Sequence, residues 1–169
     1  MDDRIFNLIA TSAFGLEGMI SGELKRINMK IGFSGFGEAS SNIARGFLTA
    51  DSTLEIVAFD VDKERAHSYL ISMPYQGRVD LLTSLEEILE STNIVFTAVP
   101  GQYDFSLYND IVSSPITDKL FIDISTAKPD VKREISAIIE DKKAKYVDVA
   151  VLGSVPAKKH LVPMMLRQV

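Results

Sequence analysis

The chain has 169 residues, 46% of them hydrophobic and 24% charged, with a net charge of −5; that is enough for one substantial core and short for two full domains. The acidic balance excludes the basic footprint of a nucleic-acid binder, and the absence of cysteine removes disulfides, thiolate nucleophiles and cysteine metal sites together. With only His67 and His160 present, a histidine-rich metal site is excluded too.

In chain order, residues 1–28 read as a strand near Ile5 to Ala10 and a helix with Leu16, Met19, Ile20 and Leu24 inward. This stretch begins acidic, and Asn7 and Glu17 interrupt its apolar run, so it fits neither a signal peptide nor a membrane span. A cytoplasmic protein without a membrane partner is expected. The segment KIGFS, Lys30 to Ser34, reads as a strand; Ala39, Ile43 and Phe47, with Ala44 and Leu48, then share one helix face. LEIVAF, Leu54 to Phe59, is a second buried strand, followed by a charged helix start at Asp62 with Ala66 and Leu70 inward. A short third strand lies near Val79 to Leu82, and Ser84 and Glu87 have capping-box spacing before Leu85, Ile88 and Leu89. NIVFTAV, Asn93 to Val99, and LFIDI, Leu120 to Ile124, are further strands. A helix from about Pro129 carries Val131, Ile135, Ile138 and Ile139 on one face, and YVDVAVL, Tyr146 to Leu152, is the sixth strand. Apolar strands alternating with helices predict an α/β architecture: a Rossmann-type doubly wound parallel sheet of about six strands.

Gly35, Gly37 and Ser40 occupy a G-x-G-x-x-G frame between the first strand and the first helix. Such a turn serves either as a plain connection or as a phosphate cradle. In the second use Gly35 makes the turn, Gly37 admits the backbone to a pyrophosphate, and the small third residue lets the helix pack close to the strand. The helix N-terminus at Glu38 would offer free N–H groups and its positive dipole end, with the Glu38 side chain turned to solvent. Asp60 ends the second strand 25 residues past Gly35, where roughly 20 is usual. A carboxylate there accepts from both adenine-ribose hydroxyls and repels a 2′-phosphate, which favours NAD over NADP. The alternative is a strand-end residue that caps the next helix together with Asp62.

The stretch IGFSGFGEASSNIARGF resembles the amino-terminal fingerprint of the β-hydroxyacid dehydrogenase superfamily, which includes 6-phosphogluconate and 3-hydroxyisobutyrate dehydrogenases. VFTAVPG, Val95 to Gly101, is similar to the fourth-strand segment on the nicotinamide side of the cofactor, and DISTAKP, Asp123 to Pro129, to the family's D-x-S-T-x-x-P segment. YVDVAVLGSVPAKKHLVPMM resembles the segment that usually ends in a Ser-Gly-Gly substrate loop, with Leu152, Gly153 and Ser154 in that place; its VP and H-x-VP pattern looks closer to a phosphogluconate dehydrogenase-like branch of unassigned substrate. The resemblance covers Met29 to about Leu166. It implies a cofactor site of Gly35, Phe36, Gly37, Glu38, Ala39, Asp60, Ala98, Val99, Pro100 and Thr126, and substrate contacts from Ser125, Thr126, Gly153 and Ser154. It places no catalytic residue in this chain, because the family's lysine comes from a following helical domain.

On this reading residues 1–28 are an extension, 29–155 the dinucleotide-binding domain, and 156–169 the start of the connection to a helical domain that would also make the full-length form a homodimer. An exposed apolar surface around Val151 to Leu166, with Leu161, Val162, Met164, Met165 and Leu166, is then expected, and with it either self-association or a disordered tail from about Pro156. The extension FNLIATSAFGLEGMISGELKRI resembles the first strand and helix of THUMP-containing RNA methyltransferases, although the acidic composition argues against RNA methylation. Ser125 and Thr126 have a second reading as a helix start ahead of Pro129. Lys128 reads as a solvated loop lysine rather than a base, His67 as exposed, and His160 as either an anion ligand or a surface residue. Two functions stay open: an NAD-dependent oxidoreductase domain acting on a small hydroxy acid, and a non-catalytic NAD-binding sensor or assembly module.

Overall fold

The computed structural model describes residues 30–167, and the expected elements and the methyltransferase-like stretch within residues 1–28 lie outside it. The sheet has seven strands in the order β3-β2-β1-β4-β5-β6-β7. β1 (Lys30–Ser34), β2 (Glu55–Phe59), β3 (Val79–Leu81), β4 (Ile94–Thr97), β5 (Leu120–Asp123) and β6 (Lys145–Val151) are all parallel, and β7 (Met164–Arg167) runs antiparallel to β6. The six expected strands are therefore joined by one more.

The helices are α1 (Glu38–Ala50), α2 (Lys63–Ile71), α3 (Leu85–Ser91), α4 (Asp104–Val112), α5 (Pro129–Asp141) and the single turn α6 (Val155–Lys158). Their apolar stripes divide the core in two, one on each sheet face. On one, Ile43, Ala44 and Leu48 of α1 meet Phe33, Ile56, Phe96 and Ile122 of the strands, and Phe33 stacks on Phe96 with centroids 5.1 Å apart. On the other, Ile88, Tyr108, Ile111, Ile135 and Ile139 from α3, α4 and α5 cover Val57, Val95 and Phe121. Alternate residues of each strand serve opposite faces, so a sheet buried on both sides needs apolar side chains throughout.

Local chemistry fixes the helix starts. Asp62 caps α2 by accepting from Arg65 N, and Ser84 caps α3 by accepting from Glu87 N at 3.3 Å. The reciprocal half of the expected capping box differs: the Glu87 carboxylate accepts from Thr83 N and Thr83 Oγ1, one residue earlier than Ser84. Those bonds hold the exposed Glu87 carboxyl below its usual range.

The segment after Val155 is ordered rather than disordered. Val155 and Val162 are buried, and Leu152 N donates to Pro163 O before β7 pairs along β6. His160 packs its ring against Phe47 of α1, with centroids 5.6 Å apart, so this segment lies against the first helix. The approach is close enough that a Cβ on Gly46 would stand 2.2 Å from His160 Nδ1. Of the apolar residues expected to be exposed here, Leu161, Met165 and Leu166 are exposed, whereas Met164 is half-buried by its place in β7 and Val162 is fully buried in the core.

Candidate cofactor site and its buried charge cluster

Strand order reverses between β1 and β4, and the turns leaving these strands open at the carboxyl edge of the sheet, where open α/β sheets hold their ligands. Gly35 turns the chain with φ +88°, donates its N–H to Phe59 O, and passes so close to β4 that a Cβ would lie 2.3 Å from Ala98 O. Only glycine fits there. Gly37 is the opposite case: it has an ordinary φ of −86°, and a Cβ would meet nothing within 4 Å. Gly37 also begins α1, and as glycine it offers no side-chain cap to the first N–H groups of this 13-residue helix. An uncapped helix start beside an open glycine fits a pyrophosphate. Glu38 is exposed and Ala39 half-buried, whereas Ser40 is fully buried.

Phe36 and Asp60 stand in a different relation from the one the sequence suggests. The Phe36 ring is fully buried, and its N–H donates to Asp60 Oδ2 at 2.8 Å. Asp60 Oδ1 accepts from Asp62 N and from Arg65 Nη2. Helix α2 is capped by Asp62, and Asp60 instead braces the glycine turn against it. Of the four acceptor positions of a carboxylate, three are taken, and one on Oδ2 remains open. Beside it a cleft of about 360 Å³ is lined by Asp60, Lys63, His67, Leu81, Leu82 and Thr83. His67 is exposed.

Across the sheet edge, Ala98 and Val99 are half-buried and Pro100 is exposed after β4. Ser125 is buried; its Oγ accepts from Val99 N at 3.1 Å, and its N–H donates to Asp123 Oδ1 at 2.8 Å. Thr126 and Lys128 are exposed, as are Gly153, at φ +131°, and Ser154 beyond β6. Of the serine-threonine pair, Thr126 faces solvent and Ser125 ties the β5 loop to the β4 loop.

Directly beneath Ser125 lies a cluster that the sequence reading missed. Lys132 of α5 is 1% exposed, with Nζ 2.6 Å from Asp123 Oδ2, 2.8 Å from Asp104 Oδ2 and 3.7 Å from Asp148 Oδ1. Tyr146 Oη donates to Asp123 Oδ2, and Tyr108 and Thr97 share a hydroxyl hydrogen bond nearby. Burial first, and then the charge of Asp123, push the Asp104 carboxyl up to about 6 against the lowering effect of Lys132 and the Ser125 hydroxyl. Burial also holds the Tyr108 and Tyr146 phenols well above their ordinary value, so both stay neutral. A sequence signal was present: Lys132 is three residues before Ile135 and seven before Ile139, on the inward stripe of α5.

A doubly wound parallel sheet with a glycine turn opening an uncapped helix at its switch point defines a dinucleotide-binding domain. Residues 30–165 match the family model of the NAD binding domain of 6-phosphogluconate dehydrogenase, and the chain belongs to that family. It is similar to the mitochondrial 3-hydroxyisobutyrate dehydrogenase of Drosophila melanogaster, at 28% identity over 129 residues that make up 75% of this chain and 37% of the relative. Among solved structures it resembles a conserved hypothetical protein of Sinorhizobium meliloti (TM-score 0.70, 24% identity, 85% of this chain and 48% of that one). It also resembles the 3-hydroxyisobutyrate dehydrogenase of Mycobacterium tuberculosis solved with L-serine (TM-score 0.66, 23% identity, 77% and 43%). The chain thus spans less than half the length of these proteins. No helix among the described residues is long and apolar enough to cross a membrane.

Proposed function

We propose that this chain is the cofactor-holding part of an oxidoreductase that moves a hydride between NAD and a small hydroxy acid. The observation that carries the reading is the pairing of the uncapped α1 start at Gly37 with the Asp60 carboxylate anchored on Phe36 N, a phosphate end and a ribose end built from one turn. The α1 N–H groups would take the pyrophosphate, and the remaining acceptor position of Asp60 a ribose hydroxyl. Ala98, Val99, Pro100 and Thr126 would line the nicotinamide end, and Gly153 and Ser154 offer backbone N–H groups to a substrate carboxylate. When bound, NAD supplies the hydride chemistry. The side chains at this edge orient and exclude water, and Lys128, in solvent on its loop, is not held as a base. Removal of the hydroxyl proton then falls to a group outside the described residues, from a helical domain or from the partner subunit of a full-length homodimer.

NAD is favoured over NADP because Asp60 and Asp62 stand at the ribose end with Arg65 already paired to Asp60. Calorimetry should show NADH binding more tightly than NADPH, with Asp60→Asn narrowing the gap by removing the charge while keeping one acceptor oxygen. Equal affinities in the parent protein would refute the assignment, and absence of binding to either would refute the function.

A further inference from the structure

We propose that Arg65 is a latent ligand for a 2′-phosphate, held off by Asp60, so that Asp60 selects NAD over NADP both by its own charge and by occupying the guanidinium. The proposal rests on the reading above that the open acceptor position of Asp60 takes a ribose hydroxyl. Arg65 Nη2 lies 3.0 Å from Asp60 Oδ1, while the other oxygen, Oδ2, holds Phe36 N and carries that open position. A group seated on Asp60 Oδ2 is therefore one carboxylate away from the guanidinium. Arg65 Nε stands 3.9 Å from Asp62 Oδ2, within ion-pair range but too far for a hydrogen bond. Among the described residues, Asp60 Oδ1 is thus the one hydrogen-bond acceptor for a side chain with five N–H donors.

The two partners of this pair are unequal. The Asp60 side chain is 4% exposed and fixed by two backbone N–H groups, Phe36 N at 2.8 Å and Asp62 N at 2.9 Å, whereas the Arg65 side chain is 49% exposed. The carboxylate stays in place and the guanidinium has room to turn. Helix stability gives no reason for an arginine here: Arg65 lies in the first turn of α2, at the positive pole of the helix dipole, where a cation is unfavourable. Its backbone is nevertheless anchored, since Arg65 N donates to the Asp62 cap. The fixed backbone brings the charge to the ribose end, and Asp60 withholds it from an incoming anion. A guanidinium matches a phosphate with parallel N–H bonds as well as it matches a carboxylate, so a 2′-phosphate competes with Asp60 for the same donors.

The test is a double-mutant cycle on the whole chain: the parent, Asp60→Asn, Arg65→Gln and the double variant, each titrated with NADH and with NADPH by calorimetry. In Asp60→Asn the one remaining oxygen stays on Phe36 N and the amide turns its N–H donors toward Arg65, which releases the guanidinium. NADPH should then bind roughly ten-fold more tightly than in the parent, the worth of a hydrogen bond to a charged group. Arg65→Gln in the Asp60→Asn chain should remove most of that gain, and the same change in the parent should weaken NADPH by a smaller factor, so that the two sites are coupled. Lys63, another cation lining the neighbouring cleft, is present in all four chains and drops out of the cycle. No gain in Asp60→Asn, or a gain of the same size with and without Arg65, overturns the proposal. Where Asp60→Asn loses its cooperative thermal transition, Asp60→Ser in the same two backgrounds carries the decision. A parent chain that binds neither cofactor, or both alike, refutes the reading above before any variant is made. A parent that prefers NADH, with uncoupled variants, refutes only the role of Arg65.

Discussion

Replacing Lys132 by methionine should be among the most damaging single changes in this fold. The ammonium is 1% exposed and lies within 2.8 Å of both Asp104 and Asp123, with Asp148 at 3.7 Å. Methionine fills most of the volume, so the loss is mainly electrostatic: the Asp104 and Asp123 carboxylates are left buried without the ammonium. Removing one partner of a buried pair costs about 3–5 kcal/mol, against a total stability of roughly 5–15 kcal/mol for a domain. With a urea slope of about 2 kcal/mol/M, the unfolding midpoint should fall by roughly 2 M. The assay is reversible urea unfolding followed by far-UV circular dichroism, at about pH 8 and about pH 5. In the parent, Asp104 binds more protons folded than unfolded between its ordinary value of 3.8 and its native value of about 6. Its contribution to stability is therefore present in full below that window and falls as pH rises through it, by roughly 3 kcal/mol. Without the ammonium the neighbouring carboxyls are pushed further up, so the Lys132→Met deficit should be larger at pH 8 than at pH 5. A deficit below about 1 kcal/mol, or one equal at the two pH values, would refute the claim that Lys132 neutralises a buried acidic cluster.

Two glycines of one turn should separate stability from binding. Gly35→Ala places a Cβ 2.3 Å from Ala98 O at φ +88° and should destabilise by roughly 2 kcal/mol or more in thermal unfolding. Gly37→Ala has room and an ordinary φ, so its melting temperature should hold while calorimetry shows weakened NADH binding; retained binding would return the turn to a plain connection. Gly46→Ala drives a Cβ into His160 and should raise amide exchange across residues 155–167 without changing NADH affinity. Unchanged exchange would show that the His160 segment is held by β7 alone.

The strands, the glycine turn and the faces of α1, α3 and α5 were legible in the sequence, because each depends on a local period of burial or on a local backbone requirement. Ile43 and Leu48 on α1, or Ile135 and Ile139 on α5, are buried where their spacing puts them. Helix α4 was not legible: only Tyr108 and Ile111 of its nine residues carry buried apolar surface, and the third buried residue is Asp104, a charge. The antiparallel β7 was also missed, since Met164–Arg167 acquires strand geometry by pairing with β6, a partner that no local pattern names. Asp60 was correctly placed at the end of β2, but its hydrogen bond to Phe36 N spans 24 residues and was decided by how β1 and β2 come into register. The charge cluster depends most on tertiary structure. Parallel pairing of β5 with β6 sets Asp123 directly beside Asp148, and the packing of α4 and α5 on that face brings in Asp104 and Lys132. The three aspartates give no sign of the cluster in their own stretches of chain, and Lys132 gives only its place on the inward stripe of α5. Burial makes them a unit, because carboxylates withdrawn from water in adjacent strands need a cation within reach, and only the folded sheet determines which lysine that is.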